Sequence, residues 1–324
     1  MAATNAQWGS RLGFILASAG SAIGLGAIWK FPFWAGANGG AAFIIPYIVF
    51  VFTIGVALVM AEIAIGRRGR GSVVSAMKNV GGKTYAALGA FGVLTSYLIL
   101  SYYSVVGGWC VSYLVDSFMG AVTTTDADLL KANFGELVSN GTKNIAWHLV
   151  FLSLTCGTVI LGVEKGIERI SKYLMPTLFI LMLAIIVRGM TLPGSWAGVE
   201  YLFSFKWENV TAAAILNAMG FTFFSLSLGA GILVTYGSYL SKDTCIPNSS
   251  LWVAMLAIQA SILAGLMIMP AVFAFGVEPN AGPGLVFITV PMIFASVPAG
   301  DIFAALFYIC LLYTSPSPRD VEES

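Results

Sequence analysis

Charge is scarce in this chain: 10% of its 324 residues are Asp, Glu, Lys or Arg, against about 25% in an ordinary soluble domain. Mean hydropathy is +0.88, which excludes a conventional soluble fold and predicts a polytopic membrane protein. The formal net charge of +1 gives no electrostatic footprint for nucleic acid. Histidine occurs once, at His148, and the four cysteines, Cys110, Cys156, Cys245 and Cys310, are scattered without a CxxC pair. A transition-metal centre or redox pair is therefore not expected, since both need clustered ligands. HExxH, GxSxG and paired intramembrane aspartates are missing too, so an enzyme is not expected. The opening "MAATNAQWGSRLGF" lacks a basic stretch followed by a small-residue cleavage site, and no removable signal peptide is expected.

What is present is a series of long apolar runs. A crossing helix needs about 20 apolar residues, and the runs predict seven spans near 12–34, 41–65, 87–118, 146–163, 169–191, 211–240 and 250–275, with an eighth starting near Asp301. If spans alternate, Arg67, Arg68, Arg70, Lys78, Lys83, Lys165, Arg169, Lys172 and Lys242 fall on one side. By the positive-inside rule that side is cytoplasmic, as is the N-terminus. The other side receives "TTTDADLLKANFGELVSNGTKN", "PGSWAGVEYLFSFKWEN" and a Pro/Gly-rich segment from Val277 to Gly300 that is expected to form a short surface helix.

Two spans are interrupted. The first carries Gly20, Gly24 and Gly26 in "SAIGLGAIWKFPFWAGANGG"; the sixth carries Gly229 and Gly231 in "FFSLSLGAGILVTY". Glycines alone also serve close packing between membrane helices. Two interrupted spans five apart point further, because a helix break inside hydrocarbon survives only where it is buried or faces a polar cavity. Freed carbonyls can hold a cation and freed N–H groups a carboxylate. Interruptions at corresponding places in two repeats mark the central site of a secondary transporter.

At these residues the chain resembles the neurotransmitter:sodium symporter family, bacterial type. "WGSRLGFILASAGSAIGLGAIWKFPFWAGANGGAAFIIPY" is similar to its first-span signature, and "EIAIGRRGRGS", "SYYSVVGGW", "KGIERISKYLMPTLFI" and "FFSLSLGAGILVTYGSYLSKD" follow in family order, covering residues 8 to about 312. The resemblance implies an all-α integral membrane protein with a LeuT-like inverted-repeat transporter fold, its first repeat at about 8–191 and an incomplete second at about 211–313. It implies alternating-access symport of an amino acid or related amine with sodium, in the inner (plasma) membrane.

The residues follow position by position. The backbone at Leu25 and Gly26 with the Tyr103 hydroxyl would receive a substrate carboxylate. The carbonyls of Ala22, Phe224 and Ser225 and the Ser227 hydroxyl would take the ammonium, while Ile99 and Phe224 line the side-chain pocket. Ala230 stands where relatives are often aromatic, implying a roomier pocket. Gly20 and Ile23 match the second sodium site, Ala22 and Ser225 the first. Lys30 matches an outer gate that is usually arginine, with interfacial snorkelling as the alternative. Trp8 and Tyr239 match inner gate positions, with membrane-interface anchoring as the alternative. Asn5 stands where a basic gate residue is common. Glu62 reads equally as an interfacial carboxylate near Arg67 or as part of a buried polar network.

Departures from the family pattern bear on coupling. At position 27, usually asparagine, the chain has Ala27; in span 7 the matching position is Leu256 or Ala257, again without an oxygen, though Gln259 or Ser261 would compensate if the helix faced differently. Hard-cation sites depend on oxygen count, so coupling to one sodium through the second site is expected, with chloride dependence and oligomeric state left open. A membrane amino-acid sensor or an ion channel on the same fold is the alternative. After Tyr313 the composition changes to "TSPSPRDVEES", so 314–324 is expected to be a non-native or disordered tail and the chain to be inactive as it stands.

Overall fold

The computed structural model describes residues 7–161, 167–277, 279 and 282–314. Asn5, Lys165 and the tail lie outside these. The first broken span is α1 (Arg11–Ala22) and α2 (Leu25–Ala37), bent by 52°. Next come α3 (Ala41–Gly69), α4 (Val73–Phe118), α5 (Ala127–Ser139), α6 (Gly141–Ile160), α7 (Arg169–Met190) and α8 (Ser195–Phe203). Then follow α9 (Ala212–Ser225), α10 (Ile232–Ser238), α11 (Ile246–Phe275), α12 (Leu285–Ala295) and α13 (Gly300–Thr314). Among the described residues α3, α4, α7 and α11 are long and apolar enough to cross a bilayer, and the α1–α2 pair makes a fifth span.

The helix starts follow from capping chemistry, in which a side-chain oxygen satisfies an otherwise unpaired N–H of the first turn. Ser10 accepts from Gly13 N–H ahead of α1, Ser72 from Ser75 ahead of α4, Asp126 from Asp128 and Leu129 ahead of α5, and Thr211 from Ala214 ahead of α9. Gly276, at φ 66°, ends α11 in the left-handed region that glycine adopts without strain.

Several expectations need correction. The sequence between spans 2 and 3 is not a loop: Val73 to Gly81 is helical and turns into the third span at Gly82, whose φ of 78° breaks the ladder. The helix at the expected fourth span, α6, begins earlier than expected, with polar Thr142, Lys143 and Asn144, and the end of that span, 162–163, lies outside the described residues. The sixth span is interrupted where expected, as two short helices with 226–231 between them. The helix anticipated on the surface between Val277 and Gly300 is α12, and it is internal: Leu285 to Phe294 are all buried. Its apolar run packs against α11 and α13, so Pro and Gly punctuate its ends without placing it outside.

Between membrane helices attraction comes from close packing, because lipid tails are as apolar as leucine. Glycines supply the approach. A methyl at Gly66 would overlap the Val234 carbonyl, and one at Gly237 would sit 2.5 Å from the Ile63 carbonyl, so α3 and α10 pack backbone to backbone. Outward, Ile45, Val49 and Phe52 on α3 and Leu183 and Val187 on α7 are exposed, as a hydrocarbon solvent requires. Two buried clusters form the interior, one including Ile23, Tyr103 and Phe287 and the other Phe31, Tyr47 and Leu233. Phe224 and Leu256 pack against both, which puts the seam between the clusters beside the broken helices.

Candidate functional site

The last four carbonyls of α1 have no N–H four residues on, and the first N–H groups of α2 have no carbonyl four residues back. Gly20, Ala22 and Ile23 thus present the negative end of one half-helix, and Leu25 and Gly26 the positive end of the other, to the same gap. Local bonds use part of this set: Ile23 N–H returns to Ala19 O at 2.8 Å and Ala27 N–H to Gly24 O at 2.9 Å. Gly26 N–H is met by the Tyr103 hydroxyl.

The second break has its own accounting. Beyond Ser225 the chain runs through Ser227 at φ 53°, Gly229 at 82° and Gly231 at 81°. A serine with positive φ is strained, at a cost of roughly 1–3 kcal/mol, and persists only where its surroundings hold it. Here the Ser227 hydroxyl donates to Ser21 O at 3.1 Å and ties the two breaks together. Gly229 N–H donates to Glu62 Oε1 at 2.8 Å, and the Ser96 hydroxyl donates to Ala230 O at 2.7 Å. Every one of these bonds satisfies backbone that hydrocarbon would leave bare.

Over Gly26 stand Phe224 and Tyr103. A methyl on Gly26 would lie 2.5 Å from Phe224 Cζ and 2.5 Å from the Tyr103 hydroxyl. Tyr103 is buried and neighbouring Tyr102 is 49% exposed, so only the first of the pair faces inward. Above Phe224 a cavity of about 290 Å³ is lined in part by Lys30, Trp34 and Asn217, and the Lys30 ammonium sits 3.7 Å from the Phe224 ring centroid.

Two broken helices facing one aromatic-roofed gap match known proteins. The Sodium:neurotransmitter symporter family model matches residues 5–130 and 127–315. An uncharacterized sodium-dependent transporter of Bacillus subtilis is 41% identical over 310 residues, covering 95% of this chain and 69% of the relative. The chain belongs to the sodium:neurotransmitter symporter family. The crystal structure of MhsT in complex with L-phenylalanine superposes with a TM-score of 0.91 at 42% identity, covering 98% of this chain and 72% of that one. The Drosophila melanogaster sodium-dependent serotonin transporter is 27% identical, over 96% of this chain and 57% of its own length. The chain is thus a sodium-coupled symporter by family, with relatives that are transporters rather than enzymes.

Within this family member the remaining expected residues are placed as follows. Ile99 is half-buried and packs on the first cluster with Phe224. Ala230 is buried. The Ser227 hydroxyl donates to Ser21 O, which leaves its oxygen lone pairs able to accept. Ala27 is buried and brings no side-chain oxygen. Of the two compensating candidates Gln259 is exposed, while Ser261 is buried within 3.2 Å of the Tyr47 hydroxyl, which also donates to Ser225 Oγ at 3.2 Å. Tyr47, a polar ring inside the apolar run "FIIPY", was not singled out by sequence. The Lys30 ammonium lies over the Phe224 ring. Glu62 accepts from Gly229 N–H and forms no ion pair with Arg67, which donates to Thr244 O at 2.7 Å. Trp8 is buried, with its indole N–H on Tyr236 O at 2.9 Å and its backbone N–H on Tyr239 O at 3.3 Å. Glu168, which lies in the motif "KGIERISKYLMPTLFI" but was not singled out by sequence, reaches the same segment.

Proposed function

We propose that this symporter carries an amino acid or related amine across the plasma membrane by alternating access. The observation that carries the reading is the meeting of Gly26 N–H, the Tyr103 hydroxyl and the Phe224 ring at the junction of the two half-helix ends. The substrate carboxylate lies at the N–H groups of Leu25 and Gly26 and the Tyr103 hydroxyl. Its ammonium faces the carbonyls of Ala22, Phe224 and Ser225, and Phe224 closes the outer side. The complex of MhsT with L-phenylalanine makes that amino acid the first probe.

Sodium enters through the second site, at the carbonyls of Gly20 and Ile23. The first site keeps Ala22 and Ser225 but receives no side-chain oxygen from Ala27 or Ala257, and the inward hydroxyls of Ser225 and Ser261 are engaged with Tyr47. One sodium per substrate is the consequence. Residues 8–191 and 211–313 act as two repeats, each opening with a broken span. Arg67 reaches Thr244 O, Arg70 reaches Ser238 O, and Trp8 reaches Tyr239 O, which gathers the basic loops and the chain start at one end of the bundle. That end is cytoplasmic under the positive-inside rule.

The test is equilibrium dialysis of purified protein with labelled L-phenylalanine over a range of sodium. Binding is expected to need sodium, with a slope near one in a plot of log affinity against log sodium. A slope near two contradicts single-ion coupling, and sodium-independent binding contradicts the symport assignment of the gap.

A further inference from the structure

The end of the bundle holding residues 8–13 is clasped by a carboxylate that neither the substrate gap nor the sodium carbonyls use. Glu168 lies directly before α7 and is 2% exposed. Its Oε2 accepts from Gly9 N–H at 2.7 Å and its Oε1 from the Ser10 hydroxyl at 2.9 Å. One turn along, the Lys172 ammonium is 2.6 Å from Oε1. Gly13 completes the clasp by having no side chain, because a methyl there would overlap the Glu168 carboxyl. The same short segment is held to α10 through Trp8. Hydrogen bonds to a charged group are among the strong ones, and a buried charge left without partners is costly. A carboxylate at the start of α1 also faces the positive end of that helix.

An opening at this end that displaces α1 breaks each contact at its first residues. Glu168 holds two groups of that segment, on Gly9 and Ser10, with one side chain.

We propose that Glu168 is a positioning residue of the inner gate, its carboxylate fastening the start of α1 to α7 in the closed state and releasing it when the gate opens. The proposal takes from the transport reading only that this end opens. It does not depend on which solute is carried, and its test uses none.

The measurement is the rate at which a maleimide labels the thiol introduced by Ser18→Cys, in the full chain carrying Cys156→Ser and Cys245→Ser. Ser18 is fully buried in α1 and its hydroxyl has no partner among the described residues, so the sulfur replaces it closely and is reached when α1 moves away. Glu168→Gln keeps the volume and weakens the clasp, and labelling is expected to rise about tenfold, the scale of a charged hydrogen bond. Glu168→Asp retains the charge and is expected to stay closer to the parent. Gly13→Ala is expected to raise labelling as well, and combining it with Glu168→Gln to add less than about twofold, because both act on one contact. Buried Cys110 reports folding, since site-resolved mass spectrometry finds it modified only if the bundle opens generally. Faster labelling at position 18 with Cys110 protected supports the gate role. An unchanged rate in Glu168→Gln overturns it. If Glu168→Gln also exposes Cys110, the decision passes to Ser10→Ala, where a faster rate supports the proposal and an unchanged one overturns it.

Discussion

Replacing Gly26 by alanine separates a substrate site from mere helix packing. The added methyl would fall 2.5 Å from Phe224 Cζ, 2.8 Å from Phe224 Cε1 and 2.5 Å from the Tyr103 hydroxyl, all well inside van der Waals contact. Tyr103 is buried in the first cluster and cannot yield without moving its neighbours, while the partly buried Phe224 can give only toward the cavity above it. Overpacking of this kind costs typically about 1–3 kcal/mol. If the cost falls on the ligand-bound state, it corresponds to about 5- to 150-fold weaker binding, at 1.4 kcal/mol per factor of ten. Gly20→Ala is the control, because a methyl there meets Met175 Sδ at 3.4 Å, an ordinary contact. The assay is equilibrium dialysis of labelled L-phenylalanine in saturating sodium, with a thermal melt on each variant. Gly26→Ala is expected to lose at least about fivefold in affinity, with Gly20→Ala much less affected. Parental affinity in a folded Gly26→Ala protein would refute the placement of the substrate. Equal losses in both variants would mean that the glycines serve packing alone.

Other consequences can be checked on the same protein. Ser227→Ala removes the donor to Ser21 O that joins the breaks and should lower stability by about 0.5–1.5 kcal/mol, read as a fall in melting temperature; no change would mean that the strained turn is held by something else. Glu62→Ala leaves Gly229 N–H without its acceptor and should cost about 1–3 kcal/mol, whereas Glu62→Gln, which still offers an oxygen, should retain most of the stability in chemical denaturation. Lys30→Met removes the cation from the Phe224 face, worth about 0.5–2 kcal/mol, and should speed ligand dissociation by about 2- to 30-fold in a chase experiment, with Lys30→Arg near the parent. At Glu168, burial opposes the charge, but the Lys172 ammonium, Gly9 N–H and Ser10 hydroxyl outweigh it and hold the carboxyl below its ordinary value. A depressed carboxylate contributes its full stabilisation above the unfolded value of about 4.3 and loses it as pH falls through the folded one. Because only the thiolate reacts, labelling of the Ser18→Cys thiol is read relative to a free thiol at the same pH; that ratio should stay flat from pH 7 to 5 and rise only in stronger acid, and a midpoint near pH 6 would assign the gate to another group.

Much of the central site was legible because its chemistry is carried by backbone. A glycine-rich interruption inside an apolar run has few physical explanations, and with two of them in family order the resemblance implied that Gly26, Tyr103, Phe224 and Ser227 share one site. What sequence misjudged involved contacts between distant segments. It gave no sign that the Ser227 hydroxyl donates to Ser21 O, 206 positions away. It left Glu62 balanced between Arg67 and an internal network, a choice settled by Gly229. It placed the helix after Val277 on the surface, whereas α11 and α13 cover it.

Composition and periodicity by themselves determined that this is a helical membrane protein with two broken spans, because hydrocarbon admits only apolar helices whose backbone is satisfied or set against a polar gap. The tertiary structure alone decided which polar groups fill that gap and which merely satisfy one another. Glu168 shows why: as one of two acidic residues in a short loop, beside Glu164, it is not set apart by sequence, and its role is defined only by the Gly9, Ser10, Gly13 and Lys172 that folding brings around it.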